Sequence, residues 1–374
     1  MFTRLPTLLL LTLSVHPTVL SAQTAAAALA LEQQGKFAEA AEAWRAVTRA
    51  NPRDAGAFAS MGLDFSRQEK YAEAASAYKQ AIALNPRLPG IHLNLGLAEF
   101  KQGKFASAIP PLRSAANESH SDQPRMLLGL SYYGAKQFSD AAKTLKPLAA
   151  SDPGNAELGR MAAQSCLEAK QYSCAMEEFK RLLSQDPDSA PTHILMGEAL
   201  DGVSRTNDAI AEFKTAAQIS PREPEVHFGL GYLYWKSHQY DDAKREFKAE
   251  LAANPGHVQS LAYLGDIALK RNQLDEAADL LEKAVAKQNE IRMAYLDLGS
   301  LRTQQKQYDA AVKALARAVE LDPSEPDAHY RLGRVYKAMG NNAAAEKEFA
   351  RTRDLHQKAD AAVQIKVPAP AVRQ

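Results

Sequence analysis

The chain has 374 residues, with 45 Lys and Arg against 44 Asp and Glu, a formal net charge of +1, and 7% aromatic residues. A balance this even gives no long-range attraction to nucleic acid or to an anionic membrane, which are bound through a basic surplus. Abundant alanine, 24% charged residues and few aromatics fit exposed helical stripes covered by small side chains rather than a β or α/β core.

Residues 1–22 differ from the rest. Arg4 gives a short positive start, Leu8 to Val15 an apolar run, and Leu20-Ser21-Ala22 a small-residue exit. This pattern predicts a secretory signal peptide over residues 1–22, cut near Ala22–Gln23, and places the mature chain in a periplasm or outside the cell. The apolar run is broken by His16-Pro17 and is shorter than the roughly 20 residues needed to span a bilayer, so no stable membrane insertion is expected. Cleavage removes Arg4 and no acidic residue, which leaves a neutral mature chain.

From there the sequence repeats. Gly62, Gly96, Gly129, Gly197, Gly231, Gly265, Gly299 and Gly333 recur with a period of about 34 residues, broken by one interval of double length between Gly129 and Gly197. Ala163 fills the double interval, and Ala28 extends the series backwards, so ten copies begin near residues 21, 55, 89, 122, 156, 190, 224, 258, 292 and 326. Each copy is long enough for two short helices. Its glycine and a later alanine at fixed spacing, as in Gly231 with Ala243 and Gly299 with Ala311, suit a close crossing of helix backbones. Asn-Pro or Asp-Pro pairs such as Asn85-Pro86, Asp186-Pro187 and Asp322-Pro323 stop one helix, because proline disfavours the α conformation in the residue before it. Pro89, Pro224 and Pro326 then stand where the next helix starts, a position at which the missing N–H costs nothing.

Pro110-Pro111 and Pro147 fall inside second helices, where an interior proline can cost about 3 kcal/mol, and predict a bend or soft point between residues 105 and 150. Residues 23–357 are expected to form one repeat domain, with Asn342 to Ala359 finishing the last hairpin as a polar cap. Residues 358–374 form the end of the cap and a disordered tail beyond Lys366.

These residues resemble the tetratricopeptide repeat (TPR) family, whose pattern places Leu-Gly and Tyr in the first helix and Ala, Phe and Pro in the second. Leu230, Gly231, Tyr234, Ala243, Phe247 and Pro255 carry it in one copy, and Leu298, Gly299, Ala311, Leu315 and Pro323 in another. The turn and second helix return as GKFAEAAEAW, EKYAEAASAY, KQFSDAAKTL, KQYSCAMEEF, HQYDDAKREF and KQYDAAVKAL. The sequence departs from the pattern at the first aromatic, which is His92, His193, His227 or His329, and at Asn289, where proline is usual. The resemblance implies an all-α, right-handed superhelical solenoid of about ten helix-turn-helix repeats whose first helices line its concave side.

Little in the sequence carries catalytic chemistry. There is no nucleophile elbow, phosphate-binding loop or His-Glu-x-x-His, and Gly229-Leu230-Gly231 lacks the third glycine and preceding strand of a dinucleotide loop. The four repeat-position histidines would stack about 10 Å apart, too far to share one ion, while His238 and His257 stand alone. No metal, cofactor or enzymatic activity is expected. Cys166 and Cys174, the two cysteines, fall at the end of a first helix and the start of the second. They are either a disulfide favoured by an oxidising compartment or two buried thiols.

Ligand-binding candidates follow from the positions at which the family contacts its ligands. Phe228, Tyr232 and Trp235 share one helical stripe apart from the packing residues His227, Leu230 and Tyr234, with Glu198 and Asp201 on one side and Asp266 on the other. Such a strip suits a segment carrying Lys or Arg. A second, nearly uncharged patch comprises Leu93, Leu97, Phe100, Met126, Leu130 and Tyr133. Either set binds a partner or packs between repeats. The carboxylate clamp known in the family is absent, because Asn94 is an isolated member of it. The expected function is a non-enzymatic protein- or peptide-binding scaffold of the periplasm or cell envelope. The alternative is an accessory array that presents a protein or glycan substrate to an enzyme.

Overall fold

A computed structural model describes residues 17–119 and 121–366. Among the described residues there are twenty α-helices and no strand. The chain divides into two compact units between Gln185 and Asp186. The first unit stacks five hairpins: α1 (Pro17–Gln33) with α2 (Phe37–Ala50), α3 (Ala55–Arg67) with α4 (Tyr71–Leu84), α5 (Ile91–Lys101) with α6 (Phe105–Glu118), α7 (Asp122–Gly134) with α8 (Phe138–Ser151), and α9 (Ala156–Glu168) with α10 (Tyr172–Gln185). The second stacks α11 (Ala190–Gly202) with α12 (Thr206–Ile219), α13 (Val226–Lys236) with α14 (Tyr240–Ala253), α15 (Val258–Lys270) with α16 (Leu274–Lys287), α17 (Arg292–Gln304) with α18 (Tyr308–Leu321), and α19 (Pro326–Ala338) with α20 (Asn342–Lys366).

Every first helix ends on the same turn. One residue takes a left-handed φ, from Gly35 and Glu69 through Asn272 to Gly340. The next residue then returns its N–H to a carbonyl near the helix end, as in Lys70 to Phe65, Gln171 to Cys166 and Gln239 to Tyr234. This bond satisfies a carbonyl the helix end leaves open and reverses the chain within a short turn. The repeated glycine then explains how the second helix returns. A Cβ at Gly231 would lie 2.8 Å from the Phe247 ring, at Gly265 2.6 Å from Leu281 and at Gly333 2.6 Å from Phe349, in each copy the same large position of the second helix. The paired alanine of that helix is fully buried at Ala74, Ala108, Ala243 and Ala311. Phe247 is itself fully buried and also stacks on Tyr263 of the following hairpin at 5.2 Å, so one ring fills both its own crossing and the gap to its neighbour.

The expected bend does not break the helices. α6 passes through Pro110 and Pro111, and α8 through Pro147, as single elements. The carbonyls these prolines leave without an N–H partner belong to Ala106, Ser107 and Lys143, all exposed residues. α20 is 25 residues long against 14 for α18, and continues past the end of the repeat at residue 357. The expected tail beyond Lys366 lies outside the described residues. So does the signal segment as far as residue 16, and its expected cleavage point falls within α1. Among the described residues no helix is long and apolar enough to cross a membrane.

Candidate functional site: an acidic, aromatic groove on the first helices

In the second unit, α11 and α13 enclose a groove of about 290 Å³. Phe228 and Tyr232 project into it one helical turn apart, and Ile194, Phe213 and Leu233 complete its apolar lining. Gly229 belongs to the same wall, because a Cβ there would lie 2.2 Å from the Phe213 ring. The Gly-Leu-Gly segment is thus a packing device. Three carboxylates, Glu198, Asp201 and Glu225, line the groove, and no lysine or arginine does. Lys236, outside the lining, donates to Asp201 at 2.7 Å, and this bond raises the lysine's pKa. Of the residues chosen from sequence, Phe228, Tyr232, Glu198 and Asp201 are therefore brought to one surface.

Trp235 and Asp266 do not line the groove, although the Trp235 ring stacks 6.2 Å from that of Tyr232. The half-buried indole donates its N–H to Asp266 at 2.6 Å, and Asp266 is buried and also pairs with Lys270, whose ammonium sits 5.5 Å from the indole ring. A half-buried indole N–H needs an acceptor, and Asp266 supplies it. The hub of the cluster is Tyr263, a residue outside the expected set. Its ring lies 5.9 Å from Phe228, 5.9 Å from Tyr232 and 5.0 Å from Trp235. Burial, with the nearby Tyr232 and the charge of Asp266 adding to it, pushes the Tyr263 phenol up to about 12. Tyr263 falls just before its repeat glycine, Gly265, at the position held by Gly229 in the preceding copy, and that break in the repeat was the signal available in sequence.

The residues of the second patch are half-buried. Leu93, Leu97, Phe100 and Tyr133 pack against the core formed by α6 and α7, and Met126 against the core of α8 and α9. Leu130 is half-buried beside them. Phe100 and Tyr133 make edge contacts with Phe105 and Phe138, 5.4 Å in each case, at the turns of their own hairpins.

The repeated histidines have a role that residue spacing did not show. His193, His227 and His329 pair through Nδ1 with Glu212, Glu246 and Glu348 of their second helices, at 2.6, 2.8 and 2.6 Å. His92 instead reaches Glu118 at 2.8 Å, because Pro111 occupies the position equivalent to those glutamates. These pairs clasp the two helices of a hairpin. His257, by contrast, does not stand alone: Nε2 lies 3.3 Å from Glu225, and Glu250 is close by. In the first unit Cys166 and Cys174 are joined as a disulfide, with Cα atoms 5.7 Å apart.

The chain belongs to the tetratricopeptide repeat family. Family models described as TPR or tetratricopeptide repeat match residues 25–59, 60–124 and 228–290, residues 132–199, and residues 204–237 and 299–340. No curated protein matches the sequence. Among solved structures, the chain is similar to YrrB, described as a TPR protein with an unusual peptide-binding site, at 23% identity over 51% of this chain and 99% of that one, with a TM-score of 0.40. It is also similar to yeast Tom70, at 14% identity over 96% of this chain and 98% of that one, with a TM-score of 0.44. A third is PilW, described as a widely conserved type IV pilus biogenesis factor, at 18% identity over 53% and 92% of the two chains, with a TM-score of 0.49. At these identities the likeness concerns the repeat fold alone.

Proposed function

We propose that the chain is a non-enzymatic scaffold, exported to the periplasm or cell envelope, that holds a partner protein by a segment carrying Lys or Arg beside an apolar residue. The observation that carries this reading is the groove between α11 and α13, in which Phe228 and Tyr232 lie among Glu198, Asp201 and Glu225 with no basic residue in the lining. An aliphatic side chain buried there contributes roughly 1.5 to 3 kcal/mol, and a cation over an aromatic face adds about 0.5 to 2 kcal/mol. The carboxylates select the cationic partner and speed its approach. Export is supported by the three-part N-terminal segment, and the joined Cys166 and Cys174 suit an oxidising compartment.

Peptide display against residues 23–374 tests this. The expected selection is enriched in Lys or Arg next to Leu, Ile or Phe. Binding should weaken with salt and fall at least about tenfold in a Phe228→Ala, Tyr232→Ala variant of unchanged helicity. Selections without basic enrichment, or peptides bound equally by the variant, would overturn the reading. Retention of a glycan by the same groove would replace it with the accessory-array alternative.

A further inference from the structure

Where Glu225 lines the groove, three ligand-type side chains converge, of which the peptide reading uses Glu225 alone. We propose that Glu225, Glu250 and His257 form a binding site for a divalent metal ion of the zinc class. One ligand atom from each lies within 4.8 Å of the other two. His257, the N-cap of α15, and Glu250, near the end of α14, are 6% and 5% exposed, whereas Glu225 is at the surface. Among the described residues no lysine or arginine pairs with Glu225 or Glu250; His257 is the group that faces them.

Each buried member is already oriented. The His257 Nδ1 accepts the Ser260 N–H at 3.2 Å and lies 2.8 Å from Ser260 Oγ, so Nε2 holds the ring proton towards Glu225; an ion at Nε2 displaces that proton, and Nδ1 then turns from capping the helix to donating to Ser260 Oγ. One oxygen of Glu250 accepts the Phe228 N–H at 3.3 Å, which fixes the carboxylate and leaves its other oxygen for an ion. Metal ligands at about 2.0 to 2.1 Å stand roughly 3.3 Å from one another in a tetrahedron, so the cluster must contract. Glu225, 57% exposed, has the freedom to do so. One imidazole and two carboxylates leave a position for water and favour a borderline ion over magnesium, which prefers oxygen ligands alone.

The backbone at Glu225 adds a further reason. The loop Pro86-Arg87-Leu88-Pro89-Gly90 before α5 and the loop Pro221-Arg222-Glu223-Pro224-Glu225 before α13 end in the same left-handed conformation, with φ +71° at Gly90 and +66° at Glu225. Glycine adopts that conformation without strain, and glutamate does not. The second unit therefore holds a carboxylate at a place where the first unit has the relaxed residue, and that carboxylate faces His257.

The test is calorimetric titration of metal-free residues 23–374 with zinc chloride at about pH 7.5, beside three variants chosen to fold. Glu225→Gly restores the residue that the equivalent loop uses, His257→Asn keeps a good helix cap, and Glu250→Gln is isosteric. The expected result is one saturable equivalent in the parent, affinity lowered at least about tenfold in each variant, and a zinc-dependent rise in thermal midpoint that only the parent shows. The site is refuted if the parent binds no stoichiometric zinc, or if all three variants bind as the parent does. Magnesium bound as tightly as zinc would overturn the metal class. Because His257→Asn leaves the groove lining intact, its peptide binding separates this site from the scaffold reading.

Discussion

Asp297 in α17 is the residue whose replacement tests the electrostatics of the second unit most directly. It is 6% exposed, its Oδ2 has no hydrogen-bond partner, and the cation paired with it, Arg331, stands 3.7 Å away. Burial raises its pKa, the nearby Asp266 raises it further, and Arg331 and Lys270 offset only part of this, which leaves the carboxyl pushed up to about 7. In the unfolded chain the value is about 3.9, so between roughly pH 4 and 7 the folded state holds a proton that the unfolded state releases. The sign follows: this contribution is fully present below about pH 4 and is lost as pH rises through about 7. A difference of about 3 in pKa corresponds to roughly 4 kcal/mol, the cost of burying the ionised group at about pH 8. Asp297→Asn removes that cost while Arg331 keeps its bonds to the Leu296 carbonyl and Ser300 Oγ. The variant should therefore be more stable than the parent by up to roughly 4 kcal/mol at about pH 8 and equal to it at about pH 4. Urea denaturation across that range, followed by circular dichroism, measures the difference. A variant-minus-parent difference that is the same at both ends of the range, or a parent that gains on the variant as pH rises, would refute the reasoning.

Two further predictions concern packing and covalent restraint. Gly229→Ala sets a Cβ 2.2 Å from the Phe213 ring and should cost about 1 to 3 kcal/mol, whereas Gly56→Ala, whose nearest atom is 3.4 Å away, should be neutral or slightly stabilising; equal denaturation midpoints would contradict the close crossing. Removing the Cys166–Cys174 bond, with its sequence separation of 8, should cost roughly 2 to 3 kcal/mol. The checks are the Cys166→Ala, Cys174→Ala variant and the parent in reductant, and an unchanged midpoint in both would show that the bond adds no stability.

The hairpin was legible in the sequence because its determinants are local and recur. Gly231, Ala243 and Phe247 lie within one copy, as do Gly299, Ala311 and Leu315, and their spacing alone specifies which backbones can approach. The Phe228 and Tyr232 stripe and the flanking Glu198 and Asp201 were legible for the same reason, since neighbouring first helices keep their register. What surrounds those residues was not. The Trp235–Asp266 and Lys236–Asp201 contacts join side chains of different copies, and the partner is chosen by rotamer and by the need of a half-buried polar group for a mate.

From sequence alone came the repeat, its family and the helical faces, because a fixed repeat period determines which residues share a side of a helix. The tertiary structure decided which stripe residues line the groove, made Tyr263 the hub of the aromatic cluster, and brought Glu225, Glu250 and His257 together. These outcomes depend on how adjacent hairpins pack, and a repeat pattern that treats every copy as equivalent carries no record of the side chains that differ between them.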